Sequence, residues 1–160
     1  HVMNSYAKVS GNIYNLRLFG VFGKFDDWRY RFISNACCKA ALGLPVVIKK
    51  DIMFDYLFID DLIKIVKWFI TNDPKQNSYN ICSSSVYSYN QFAKKVIEAS
   101  GKDIKIDNID PIIEEEYSGD NSLFKNESNF NFTNINDSIK LLYEWYDSHI
   151  GNIEEGKLLY

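Results

Sequence analysis

Tyr6 and Lys8 are the first residues whose types could do chemistry together. On a helix, a Tyr and a Lys four apart share a face, and the ammonium can lower the phenol's pKa; two apart, they do not face each other. The pair reads as ordinary N-terminal sequence. Gly20-x-x-Gly23 could touch a phosphate only within a longer motif. A phosphate loop needs a Gly-Lys-Ser/Thr ending, and a dinucleotide fingerprint needs three glycines entering a helix. Neither accompanies it, so turn chemistry is the reading. Lys24, Arg29, Arg31 and Lys39 form the local concentration of positive charge. Arg29 and Arg31 point to different sides of a helix. A guanidinium facing a cleft suits a phosphate; a solvated surface is the other reading.

The acids come in runs: Asp26-Asp27, Asp60-Asp61 and Glu114-Glu115-Glu116. Asp60-Asp61 fits a helix cap, and the others read as solvated. His149 stands where a helix C-terminus gives it a dipole role. Tyr143, Trp145 and Tyr146 read as core and rim of a packed helix. Cys37, Cys38 and Cys82 are odd in number and two are adjacent, which reads as reduced thiols and not a framework. No Cys/His cluster has metal spacing. The residues alone assemble no active site, and no catalytic or metal residue is assigned.

The elements that must position these residues alternate. Ile13–Phe19 reads as a strand ending at Gly20, followed by a loop through Trp28. Tyr30–Leu42 has helical spacing and Gly43 where a cap belongs. Pro45–Ile48 and Phe54–Ile59 are extended. Asp60-Asp61 opens a helix over Leu62–Ile70, with Leu62, Ile65, Val66 and Phe69 as its buried stripe. Ser78–Cys82 is a strand and Ser83–Ser85 a turn. Ser88 caps a helix over Tyr89–Ser100 that Gly101 closes, and Ile104–Ile106 is a short strand. Residues 114–131 are polar and read as a surface loop. Asn136-Asp137 caps a last helix, Ser138–Ser148, with Ile139, Leu142, Tyr143 and Tyr146 on one side. This is an α/β pattern with some parallel pairing, read as one unit over residues 1–160.

At 160 residues the chain is one domain's worth, and a fold of this size buries roughly 70% of the surface its unfolded chain exposes. It is 46% apolar and 16% aromatic, too much for a wholly disordered chain. No apolar run approaches a membrane span. A net charge of −3 without a basic stripe argues against nucleic acid. The N-terminus shows no signal pattern, and His1 with Val2 before Met3 reads as a cloning remnant. The cytoplasm is the expected compartment.

Order and wording say more. Asn15-Leu16-Arg17-Leu18-Phe19-Gly20-Val21-Phe22-Gly23 resembles the strand and loop after the catalytic helix of extended short-chain dehydrogenases/reductases, the nucleotide-sugar epimerase/dehydratase family. Phe54–Leu62, with its Asp-aromatic run ending in Asp-Asp-Leu, is similar to that family's C-terminal signature. Ser78-Tyr79-Asn80-Ile81-Cys82 resembles the next strand, and Ser88–Gly101 the next helix. Asp120–Leu123, Phe132-Thr133 and Asp137–Tyr146 resemble the tail of GDP-fucose-synthase-like members. The likeness covers residues 12–147.

The resemblance implies the last strands of a Rossmann-type parallel sheet plus a small α/β substrate-binding subdomain, with the N-terminal dinucleotide-binding half absent. It implies NAD or NADP in the full-length enzyme, none on this chain, and a nucleotide-sugar substrate. Leu18, Phe19 and Gly20 would lie beside the nicotinamide and sugar. Arg29 or Arg31 would meet the diphosphate, and Val47, Ile48 and Lys49 would flank the base. Many members have Asn where Gly20 stands, an Arg where Met53-Phe54 stand, and a further Arg before the segment matching Asp120. A non-catalytic binding or assembly module is the alternative. A sheet strand cut from its neighbours presents unpaired backbone, so self-association is expected.

Overall fold

A computed structural model describes residues 5, 9–10, 12–109 and 115–159. Tyr6, Ala7, Lys8, His1 and Glu114 lie outside the described residues. The expected parallel pairing is present. Strand β1 (Asn15–Leu18) pairs parallel with β5 (Ser78–Ile81), β2 (Gly20–Phe22) with β4 (Met53–Phe58), and β3 (Val46–Ile48) with β7 (Ile106–Asn108). The first half of β4 also pairs antiparallel with β6 (Val86–Ser88) and parallel with β8 (Glu116–Tyr117).

Three expectations about the strands change here. The strand read over Ile13–Phe19 is shorter, and Gly20–Phe22 is not a loop. Phe19 breaks one extended run into two strands with different partners, which no local signal in Gly20-x-x-Gly23 discloses. The short strand near residue 105 lies two residues later than read, because register against β3 fixes it.

Helix α1 (Phe32–Leu42) ends as expected: Gly43 is left-handed at φ 74°, and its N–H donates to the Ala40 carbonyl. Tyr30 and Arg31 lie before the helix. Helix α2 (Ile59–Thr71) begins earlier than read, and Asp60 does not cap it; Phe58 holds the N-cap position without a side-chain bond. Both acids still sit in the first turn, at the positive end of the dipole. Val66 faces outward at 39% exposure, and Trp68 packs in its place.

Helix α3 (Tyr89–Ser100) carries a full capping box between Ser88 and Gln91, and Gly101 closes it. Residues 122–128 are not a loop but helix α4 (Ser122–Ser128), whose Phe124 is fully buried. Helix α5 (Ile135–Ser148) is capped by Asn134, not by Asn136-Asp137, and buries Ile139, Leu142, Tyr143 and Tyr146 as expected.

Helices α1, α3 and α5 pack on one another, with Ala36, Ala40 and Ala41 on α1 small enough for close approach. This core continues onto Phe22, Val46, Ile48 and Phe58. A second core joins Leu57, Ile65, Phe69, Tyr79, Ile81 and Phe124. Along β4, alternate side chains therefore serve different cores. No helix among the described residues is long and apolar enough to cross a membrane.

Candidate functional site

Two adjoining clefts open beside the ends of β2, β3 and β4. The first, of about 450 Å³, is lined by Phe19, Gly20, Lys24, Asp26 and Arg31 among others. The second, of about 420 Å³, is lined by Arg31, Val47, Ile48, Lys49, Lys50 and Tyr89 among others. Arg31, Phe32, Phe54 and Tyr56 belong to both.

Aromatic contacts build the shared wall. Phe32 stacks on Tyr89 with centroids 4.1 Å apart, and Phe54 on Tyr56 at 4.3 Å. The Tyr56 and Tyr89 hydroxyls lie 3.5 Å apart. Burial pushes the Tyr56 phenol well up, so it is no base at neutral pH. Residues 54 and 56 share a strand face by simple alternation, a signal present in the sequence. Their meeting with α1 and α3 is not local.

Gly20 sits opposite Tyr56 in the β2–β4 register. A Cβ there would lie 3.1 Å from Tyr56 Cδ1, 3.2 Å from the Asp55 carbonyl oxygen, and closer still to the Phe54 ring. Glycine is what lets that ring reach the wall. Asp55, fully buried, holds the strand's other face. It accepts from the Ser83 N–H at 2.8 Å, the Ser83 hydroxyl at 2.6 Å and the Ser84 N–H at 2.9 Å. Asp61 similarly accepts from the Thr133 N–H and hydroxyl, each at 2.7 Å. These acids tie segments together and touch neither cleft.

The four cations of the 24–39 region separate. Lys24 and Arg31 line the first cleft. Arg31 is 66% exposed, and its Nε is 3.9 Å from Asp26 Oδ1. Burial raises the Asp26 carboxyl, against the Asp27 N–H and Arg31. Arg29 lies outside both clefts. It forks onto Asp27 at 2.7 and 2.5 Å, and these bonds hold the Asp27 carboxyl down at about 2. Lys39 is turned inward, 4% exposed, with its pKa lowered by burial. Leu18, 46% exposed on β1, also lines neither cleft.

The Val46 N–H donates to Lys105 O and the Ile109 N–H to Ile48 O, so residues 46 and 48 bond toward β7. In a parallel ladder this turns the Val47 peptide groups to the opposite edge. All three cysteines are buried and unpaired; burial pushes the Cys38 and Cys82 thiols to about 12, and neither is a nucleophile. Among the described residues no cluster of His, Cys, Asp or Glu could hold a metal.

A family model described as the NAD dependent epimerase/dehydratase family matches residues 1–82, more than half of the chain. The chain belongs to the NAD-dependent epimerase/dehydratase family. Solved structures with this architecture include a dTDP-glucose 4,6-dehydratase from Bacillus anthracis in complex with NAD, at TM-score 0.78 and 14% identity, covering 94% of this chain and 49% of that one. A UDP-glucuronic acid 4-epimerase from Bacillus cereus, in complex with UDP-glucuronic acid and NAD, matches at TM-score 0.75 and 20% identity, covering 94% and 50%. A GDP-L-fucose synthetase from Naegleria fowleri matches at TM-score 0.74 and 15% identity, covering 89% and 48%. The epimerase/dehydratase-family chain spans about half the length of these structures. At such identities the likeness bears on fold, and the expected α/β arrangement with Rossmann-type parallel strands is met.

Proposed function

We propose that this chain forms the substrate-binding wall of an NAD(P)-dependent nucleotide-sugar epimerase, dehydratase or reductase. One observation carries the reading: Arg31 stands at the junction of the two clefts, beside a first turn of α1 that no side chain caps. Uncapped N–H groups, the positive end of the dipole and a guanidinium together suit a diphosphate. A nucleotide-sugar laid across the junction has its diphosphate at Arg31. Its base then lies beside Val47, Ile48 and Lys49, and its sugar along Phe19 and Gly20. Leu18, on β1, stays outside both clefts, and Arg29 joins only by leaving Asp27.

The residues present do not by themselves fit a dinucleotide. The sequence has no Gly-rich phosphate loop and no Tyr-x-x-x-Lys pair. In this reading NAD or NADP serves the full-length enzyme, hydride transfer needs residues this sequence does not hold, and residues 1–160 act as one unit in the cytoplasm. Titration calorimetry with UDP-glucose and GDP-mannose tests the binding wall. Replacing Arg31 with alanine is expected to weaken whichever ligand binds by about tenfold, the scale of one charge-assisted bond. A wild-type chain that binds neither overturns the reading.

A second reading, an assembly module, is favoured by exposed apolar side chains. Leu18 on β1 is 46% exposed, and Ile63 and Ile70 on α2 are 61% and 76% exposed. Such surface is costly in water. Light scattering across a concentration series is expected to show species above the 18.6 kDa monomer. A strict monomer at high concentration overturns self-association.

A further inference from the structure

The tip of the turn over residues 23–26 combines two unfavourable features. The Asp26 N–H closes the turn onto Gly23 O at 3.4 Å, and Phe25 occupies its third position with φ 67°. Lys24 before it is not left-handed, so this is the type II arrangement, whose third position is glycine's. A bulky side chain there is strained. The same Phe25 is 87% exposed, the highest value among the large apolar side chains described. Its one ring contact among the described residues is an edge-on approach to Trp145, with centroids 5.2 Å apart.

The flanks of the turn are held. Gly23 packs on Ile59, Asp26 accepts from the Ser34 hydroxyl at 3.3 Å, and Asp27 holds Arg29. Only the tip projects, and it projects at the rim of the first cleft. Strain and a wetted aromatic ring thus coincide where a ligand would enter.

Resting on the substrate wall proposed above, we propose that Phe25 is a specificity-determining residue that covers the sugar of the bound nucleotide-sugar. A phenyl face offers nothing to a phosphate, which Arg31 serves. It does complement the apolar C–H face of a pyranose. With the diphosphate at Arg31, the sugar extends into the first cleft, between Phe19 and Phe25.

The experiment pairs a stability measurement with binding. Phe25→Gly is expected to raise the thermal midpoint by about 2–4 °C, because glycine accepts the left-handed backbone. The same variant is expected to bind UDP-glucose or GDP-mannose about tenfold more weakly in calorimetry, with UDP and GDP unaffected. Phe25→Trp, which keeps a flat face, is expected to retain sugar-nucleotide affinity. An unchanged Phe25→Gly affinity for sugar nucleotides, or an equal loss for the sugar-free diphosphates, overturns the proposal and leaves the substrate wall standing. A wild-type chain that binds none of the four ligands removes the wall, and the role of Phe25 with it.

Discussion

Asp55→Ala is expected to cost about 3–5 kcal/mol, the scale for leaving buried hydrogen-bonding groups without their charged partner. Two backbone N–H groups and a hydroxyl, from Ser83 and Ser84, would lose the carboxylate that all three donate to. Water cannot easily replace it, because Asp55 is fully buried. The 83–85 turn carries Ser84 at φ 60°, so the carboxylate also holds a backbone conformation that serine does not favour. Urea unfolding followed by circular dichroism measures the loss. Ser83→Ala, which removes only the hydroxyl bond, is expected to cost about 1 kcal/mol. If Asp55→Ala unfolds at the wild-type midpoint, the anchor contributes nothing and the account of β4 fails.

Gly20→Ala is expected to cost about 3 kcal/mol, at the upper end for forcing atoms into a packed site. The new methyl group would meet the Phe54 ring and, at 3.2 Å, the Asp55 carbonyl oxygen. The ring can move and the backbone cannot. Phe54→Ala in the same chain removes the movable obstacle. The double variant is therefore expected to lose less than the two single losses added, by about 1–2 kcal/mol of coupling. Simple additivity would show that Gly20 and Phe54 do not share the space. The prediction bears on the site as well as on stability, because Phe54 belongs to both clefts.

What was legible in the sequence follows from how local each signal is. Ser88, Gln91 and Gly101 announce α3 because a cap is decided within a few residues. Helix α4 gives no such notice: one buried side chain, Phe124, stands in seven mostly polar residues, and besides nearby Phe130 its ring partners Trp68, Phe69 and Tyr79 are far away in sequence. Strand β2 is hidden for the same reason, since only β4 makes Gly20–Phe22 a strand. Asp61 reads as a cap from its neighbours, yet besides Lys64 it binds the distant Thr133. Family wording pointed to Leu18, Phe19, Gly20, Arg29, Arg31 and Val47–Lys49; of these, Phe19, Gly20, Arg31 and Val47–Lys49 line the two clefts, and Leu18 and Arg29 line neither. Local sequence does not separate Arg29 from Arg31, because they differ in which carboxylate each one meets. It also could not disclose the Phe32–Tyr89 stack, which needs α1 and α3 already in place.

Strand β4 serves two masters. Phe54, Tyr56 and Phe58 look toward the clefts and the larger core, while Asp55 and Leu57 look toward the serine anchor and the smaller one. A slip of one residue would exchange every one of these positions, placing a carboxylate in oil and rings against the turn. The strand thus works as a keel: damage on one side is transmitted to the other.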